Sequence, residues 1–309
     1  MSNKTVILTG ISGFIGSHIG EYLVNQNYQI IALIQKSSDL WRCRDYISKV
    51  DLLYYNDPDL IQNILKFDPS TLIHTAWIGV TASERTNWEN QLQNINLLGN
   101  LFSIISHCKL TKFIALGSQA EYGSFEGRID ETQQTQPTNS YGSVKLACLS
   151  LIQSYCYQNK IDWYWLRLFS IYGPKENGHW FIPSAINHAI LEQSMKLTGC
   201  QQKYDYLYVK DLCKAINKVL ETPHNSGVYN LTSNSSQILK NVIEEIKKIT
   251  KTKINYQYGV IPYRENQIMH MEGNSDLFYT TFKFSPNSDL ETNLIDTINY
   301  YKNNIPSSL

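Results

Sequence analysis

Apolar residues fall into short continuous runs, TVILTG, QIIALIQ, TLIHTAW and KFIALGS. Between these lie longer stretches, GSHIGEYLVNQ, DLIQNILKF and NLLGNLFSIISHC, whose apolar positions follow a helical period. A continuous apolar run buries both faces of a strand, which suits a parallel sheet covered by helices on both sides. The alternation therefore predicts repeated βαβ units and an α/β fold of the Rossmann type, a doubly wound parallel sheet. It continues through a helix around Tyr141–Gln158 and a strand at Trp163–Phe169, then becomes irregular after Gly173-Pro174. A helix near Pro183–Gln193, an amphipathic helix at Ser236–Thr250 and a C-terminal helix at Asp289–Asn303, fraying at its YYKNN end, read as a smaller α/β cap. The division expected is a larger domain over 1–169, with a return segment at about 205–232, and a cap made of 170–204 and 233–309.

Composition narrows the class. The 309 residues are 42% hydrophobic and 17% charged, with 27 basic residues against 27 acidic ones, as in a soluble globular protein with a full core. No run approaches the ~18 apolar residues of a membrane span, and the start of the chain lacks the pattern of a signal segment, so no membrane partner and a cytoplasmic location are expected. Zero net charge without a basic tract argues against nucleic acid. The cysteines Cys43, Cys108, Cys148, Cys156, Cys200 and Cys213 form no CxxC pair, so they read as reduced, mostly buried thiols rather than disulfides or metal ligands.

The chemistry begins directly after the first strand. Gly10-Ile11-Ser12-Gly13-Phe14-Ile15-Gly16 opens a helix there. Gly10 permits a tight turn, Gly13 lets the backbone approach a pyrophosphate and Gly16 allows close packing, while the helix N-terminus supplies free N–H donors. A dinucleotide site is implied, made of Gly10, Ser12, Gly13, Phe14, Ile15 and Gly16. The acidic residue expected at the end of the second strand, to hold the adenosine ribose, is missing. Gln35, Lys36, Ser37 and Ser38 stand there, with Arg42 and Arg44 close behind, a cationic corner that favours NADP over NAD. The alternative for Lys36 is a solvated loop.

Tyr141 and Lys145 lie four apart in a helix and so share one face. A cation beside a phenol favours phenolate, as a general acid or base requires. Ser118, in LGSQAEYG at a strand end, is placed to hydrogen-bond a reacting oxygen together with Tyr141.

The order GxxGxxG, HTAW, GSQAEYG, YGSVK and LRLFSIYGP resembles the extended short-chain dehydrogenase/reductases, in the NAD-dependent epimerase/dehydratase branch that acts on nucleotide sugars. The resemblance covers nearly the whole chain. It implies Tyr141 as catalytic acid/base, Lys145 as its pKa modifier and ribose ligand, and Ser118 as third member of the triad. It further implies cofactor contacts at Gln35, Lys36, Tyr55, Ala76, Trp77 and Phe169, with Asn96 supporting the active-site helix, and substrate contacts at Ser118, Gln119, Tyr141, Ser170, Trp180 and Arg264. Asp205 and Asp211 match later parts of the pattern, and a homodimer through a helix pair is expected.

Departures carry information. Ser170 and Tyr204 replace an expected Asn and an expected basic residue, and Tyr54 or Tyr55 stands where an adenine-contacting Asp is usual. Gln119-Ala120 follows Ser118, where the resembling 4,6-dehydratases carry Asp-Glu to move a proton to the departing hydroxyl, so dehydration is not expected. Glu121, one position late, reads as a solvated turn carboxylate. His74 reads as a hydrogen-bonded core residue, and Trp163 and Trp165 as packing. The function expected is NADPH-dependent reduction of a nucleotide-linked 4-keto-6-deoxyhexose at C4. The alternatives are a nucleotide-sugar 4-epimerase or 4-dehydrogenase with bound NAD, and a non-catalytic dinucleotide sensor.

Overall fold

A computed structural model describes residues 4–287 and 289–304. Its first half alternates as the apolar pattern predicts: β1 (Thr5–Thr9), α1 (Phe14–Asn25), β2 (Gln29–Ile34), β3 (Asp51–Tyr54), α2 (Leu60–Leu65), β4 (Thr71–His74), α3 (Trp88–Ile105) and β5 (Lys112–Ser118). After a short β6 (Gly127–Ile129) come α4 (Ser140–Asn159), β7 (Asp162–Leu168), β8 (Ser170–Tyr172), α5 (Phe181–Ile190) and β9 (Met195–Lys196). Then follow β10 (Lys203–Tyr208), α6 (Val209–Glu221) and β11 (Gly227–Leu231). The remainder is β12 (Ser236–Ile238), α7 (Leu239–Thr250), β13 (Tyr256–Gln257), β14 (His270–Gly273), α8 (Asp276–Phe282) and α9 (Leu290–Asn303).

Seven parallel strands form the main sheet in the order β11-β7-β5-β4-β1-β2-β3. Both faces are covered, and β1 shows why its sequence is a continuous apolar run. Val6 and Leu8 pack with Ile19, Leu23 and Ile216 of α1 and α6, while Ile7 points the other way, to Leu98, Leu101 and Val144 of α3 and α4. Each such side chain contributes about 1.5–3 kcal/mol on burial. The chain order reverses between β1 and β4, and at such a switch point the loops after neighbouring strands diverge and leave a crevice at the strands' C-terminal ends.

The second sheet has β12, β10, β14 and β6 in line, with β8 also pairing β10. A third apolar cluster, including Ile186 of α5, Ile243 of α7 and Leu294 of α9, backs it. Two expectations change here. β10 belongs to this smaller sheet, so the return to the large sheet starts only with α6 and β11 rather than at about residue 205. The C-terminal helix does not fray at its YYKNN end: Tyr301 is buried in the third cluster and its hydroxyl donates to Glu176 O at 2.8 Å. Among the described residues no helix is long and apolar enough to cross a membrane, and no group of three or more His, Cys, Asp or Glu is placed to hold a metal.

Candidate active site

The turn between β1 and α1 is a tight cradle. Gly10 has φ +77°, and a Cβ on it would lie 2.6 Å from Ala76 N, while one on Gly16 would lie 2.1 Å from Gly10 O. A side chain at either position would therefore force the β1 turn apart from α1 or from the β4 end. Gly13 donates to Gly10 O at 3.0 Å and is the N-cap of α1, with no side chain capping the first-turn amides. Those amides and the helix dipole suit a pyrophosphate, with Ser12, Phe14 and Ile15 completing the turn, so the cradle fits a dinucleotide.

At the rim, Gln35 and Lys36 are exposed, and the nearest acidic residue in the sequence, Asp39, accepts from Trp41 N at 3.0 Å. Arg42 is tied down: its Nε donates to Lys175 O at 2.9 Å, its Nη1 to Ser12 O at 3.4 Å, and its guanidinium lies 4.3 Å from the Trp41 ring centroid. Tyr55 follows β3, and its hydroxyl is buried without a partner.

The predicted Ser-Tyr-Lys set converges at the β5 end. Ser118, Tyr141 and Lys145 are all buried, and the Ser118 hydroxyl is near enough to the Tyr141 phenol to favour its ionised form. Asn139 opens α4 as N-cap, its side chain accepting from Gly142 N, which fixes where Tyr141 enters. Lys145 donates to Leu116 O at 2.7 Å, and its ammonium lies 3.6 Å from the Trp77 ring centroid. Burial lowers its pKa to about 7 against the ordinary 10.5, opposed by the charge of Glu121. Burial pushes the Tyr141 phenol up, with the Arg85 guanidinium and then the Ser118 hydroxyl opposing it.

Trp77 packs edge-on against Tyr141 at 5.9 Å and donates its Nε1 to Gln91 Oε1 at 3.0 Å. Ala76 N donates to Thr9 Oγ1 at 3.3 Å, and that hydroxyl also bonds His74 Nδ1 at 2.8 Å. His74 is thus a core residue in the β4 end, its pKa lowered by burial to about 3. Asn96, expected to support the active-site helix, faces away from it, and its neighbour Asn94 holds the loop after β4. Asn96 is exposed, whereas buried Asn94 accepts from Ile78 N at 2.7 Å and donates to Ile78 O at 3.0 Å. Helical spacing could have found this, because Gln91, Asn94, Leu98, Leu101 and Ile105 share the buried face of α3 and residue 96 does not.

Glu121 is the largest departure from the sequence reading. Rather than a solvated turn carboxylate, it is fully buried. Oε1 accepts from Ser118 N at 2.7 Å and Trp165 Nε1 at 3.0 Å, while Oε2 takes Arg167 Nε at 2.7 Å. Burial pushes the carboxyl up and Arg167 and the other donors oppose this, and with both oxygens saturated by donors the ionised form is the one held. Arg167 also lies over the Tyr122 ring, whose hydroxyl donates to Asn230 Oδ1 at 2.7 Å. Sequence alone offers no signal for a partner 46 positions away.

Gln119 is half-buried beside Ser118, Phe169 packs against Tyr122 and Phe125, and Ser170 opens β8 opposite Tyr206. Trp180 is the N-cap of α5, 38% exposed, with the Arg85 guanidinium 5.4 Å from its ring. Arg264 is exposed on the loop between β13 and β14, close enough to bias the Tyr204 phenol downward against its burial. Asp205 is buried and accepts from Ser233 N at 2.7 Å and its hydroxyl at 2.6 Å. Asp211 accepts from Asn287 N, bracing α6 against the segment before α9.

Residues 6–232 match the NAD dependent epimerase/dehydratase family. The chain belongs to that family. The match spans the glycine turn, the Ser118 strand end and the Tyr141 helix. It is 26% identical to CDP-abequose synthase of Salmonella muenchen over 94% of this chain and 95% of that protein. It is 23% identical to dTDP-6-deoxy-L-talose 4-dehydrogenase (NAD(+)) of Aggregatibacter actinomycetemcomitans over 87% of this chain and 98% of that protein. A UDP-N-acetylglucosamine 4-epimerase from Methanobrevibacter ruminantium, solved with UDP-N-acetylmuramic acid, superposes with a TM-score of 0.88 at 24% identity, covering 99% of this chain and 100% of that one. That likeness establishes the fold. The family, which includes nucleotide-sugar oxidoreductases, is NAD-dependent by its name.

Proposed function

We propose that this protein is an NADPH-dependent reductase of a nucleotide-linked 4-keto-6-deoxyhexose, acting at C4. The observation that carries the reading is the surroundings of Ser118. A serine, a phenol and an ammonium stand together, Gln119 and Ala120 have no proton to shuttle, and the adjacent carboxylate Glu121 is saturated by Ser118 N, Trp165 and Arg167. Such a site supports hydride transfer with protonation of one oxygen, and it lacks a free acid for eliminating a hydroxyl. Similarity over most of both chains to a 4-dehydrogenase of a dTDP-6-deoxy sugar adds support, because the reverse of that named reaction is reduction of a 4-keto-6-deoxyhexose.

In this reading the Gly10–Gly16 turn, Trp77 and Lys145 hold the dinucleotide, and Tyr141 and Ser118 meet the sugar. When bound, the reduced dinucleotide supplies a hydride for C4. Tyr141 gives its phenolic proton to O4, and the Ser118 hydroxyl holds that oxygen and the phenol in line. The carbonyl becomes a secondary alcohol, one hydride and one proton richer. Gln119, Ser170, Trp180 and Arg264 face the sugar nucleotide in this arrangement. The phosphorylated cofactor is favoured because Lys36 is exposed at the β2 end with Arg42 behind it, while the carboxylate between them, Asp39, accepts from Trp41 N.

The test supplies purified protein with a nucleotide-linked 4-keto-6-deoxyhexose and deuterated NADPH. One NADPH oxidised per sugar, with deuterium at C4, is expected. Lys36→Ala should weaken NADPH by about 1–3 kcal/mol and leave NADH nearly unchanged. Interconversion of two C4-epimeric nucleotide sugars without added cofactor would replace the reductase reading with the epimerase one.

A further inference from the structure

The loop between β4 and α3 carries a cation that no described protein group pairs. Arg85, in the single turn Glu84–Thr86, is half-buried, with its guanidinium carbon 4.6 Å from the Tyr141 ring centroid and 5.4 Å from that of Trp180. Its Nε donates to Val80 O at 2.9 Å, and among the described residues its Nη nitrogens have neither a hydrogen-bond acceptor nor an ion pair. The neighbouring carboxylate, Glu84, is engaged by Thr81, whose N and Oγ1 donate to Oε2 at 3.1 and 2.6 Å.

The loop that presents Arg85 is fastened along its length. Asn94 holds both backbone groups of Ile78, and buried Gln91 donates to Gly79 O at 2.6 Å and to Glu84 O at 3.1 Å. Arg85 N donates to Thr81 O at 3.0 Å. Ser140, the residue just before Tyr141, donates its hydroxyl to Arg85 O at 2.9 Å, so the arginine's backbone is tied directly to the start of the active-site helix. Ordering a long side chain between two rings costs conformational entropy that a merely solvated arginine avoids. Donors held in place without an acceptor are what an incoming ligand oxygen needs.

We propose that Arg85 is a sugar-binding residue of this site, its Nη fork donating to an oxygen of the hexose other than the reacting one. This rests on the reading of Tyr141 as the group that meets the sugar. The place of Arg85 on the Tyr141 ring decides which part of a nucleotide sugar it reaches. The phenol must touch O4, so donors lying on that phenol's ring are next to the C4 side of the hexose. The diphosphate hangs from C1, across the pyranose from C4, and is left to other residues. A guanidinium suits the task because its donors lie in one plane at fixed angles, matching neighbouring sugar oxygens. The exposed indole of Trp180, on the other side of the guanidinium, offers an apolar surface to the C–H face of the same ring.

Isothermal titration without cofactor separates the sugar from the rest of the ligand by comparing UDP-glucose with UDP, dTDP-glucose with dTDP and CDP-glucose with CDP. Arg85→Gln keeps a donor for Val80 O and removes the fork. For the pair that wild type binds most tightly, the variant should bind the nucleotide sugar about 10–100-fold more weakly and the diphosphate alone within about twofold of wild type. Unchanged affinity for the nucleotide sugar, or an equal loss on the diphosphate, overturns the proposal, as does a wild type that binds none of the three nucleotide sugars. If Arg85→Gln fails to fold, Arg85→Met, which lays a similar stem across Tyr141, gives the same comparison. Binding requires no hydride transfer, so a loss confined to the nucleotide sugar, in a protein that reduces no ketosugar, leaves this inference standing and removes the reductase reading. Ketosugar reduction by wild type with an unchanged nucleotide-sugar affinity in the variant does the reverse.

Discussion

Replacing Lys145 with Met tests whether the fold bears a cost for its buried ammonium. Met follows the path of the lysine stem without the charge. Burial takes the Lys145 pKa from 10.5 to about 7. At about 1.4 kcal/mol per unit, the difference between those values makes the charged form about 5 kcal/mol dearer in the folded chain at neutral pH. The contact with Trp77 and the bond to Leu116 O are lost in the variant and offset about 1–2 kcal/mol each. The variant should therefore be about 1–3 kcal/mol more stable than wild type at pH 7, while losing turnover. Between pH 7 and about 10.5 the unfolded chain carries the proton and the folded one does not, so wild-type stability should gain about 1.4 kcal/mol per pH unit over the variant. Below pH 7 both states carry it and the difference is flat. Urea denaturation of both proteins from pH 6 to 9 measures this, and every other titrating group cancels between them. Two stability curves that run parallel from pH 7 to 9 would refute the reasoning, since Lys145 would then keep its proton.

Glu121→Gln leaves the Arg167 guanidinium buried beside a neutral amide and should cost about 3–5 kcal/mol in denaturant unfolding; a loss under 1 kcal/mol would mean the pair is not held as ions. Asn94→Ala removes both bonds to Ile78 and should destabilise by about 1–3 kcal/mol and lower turnover, whereas Asn96→Ala should change neither, and equal effects in the two would contradict the placement of α3.

What could be read from the sequence follows from how far each interaction reaches. The strands β1, β2, β4 and β5 are buried on both faces, so their apolar runs declared them. β3 lies at the sheet edge and is only half-buried, so its DLLY carries no such run. Two strands of the smaller sheet, Gly127–Ile129 and Ser236–Ile238, are only three residues each and are defined by partners far along the chain. The same rule holds in the site. Glycine spacing and the Tyr141–Lys145 pair are local, and both were visible. Glu121 with Arg167, and Arg85 over Tyr141, are joined only by folding, so spacing could not pair them.

The burial of Glu121 also constrains how this sequence can drift. A Cβ at Gly117 would fall 2.1 Å from Trp165 Nε1 and 2.7 Å from Glu121 Oε1, so the space beside β5 is already filled by that indole and that carboxylate. Neither the bare glycine, nor the carboxylate, nor the indole that bridges them is free to change singly. Loss of Glu121 would leave Trp165 and Arg167 without their acceptor, and a side chain at position 117 would displace both partners. Among descendants of this sequence the three positions should be replaced together or kept together, which makes Gly117, Glu121 and Trp165 a lineage marker as well as a packing unit.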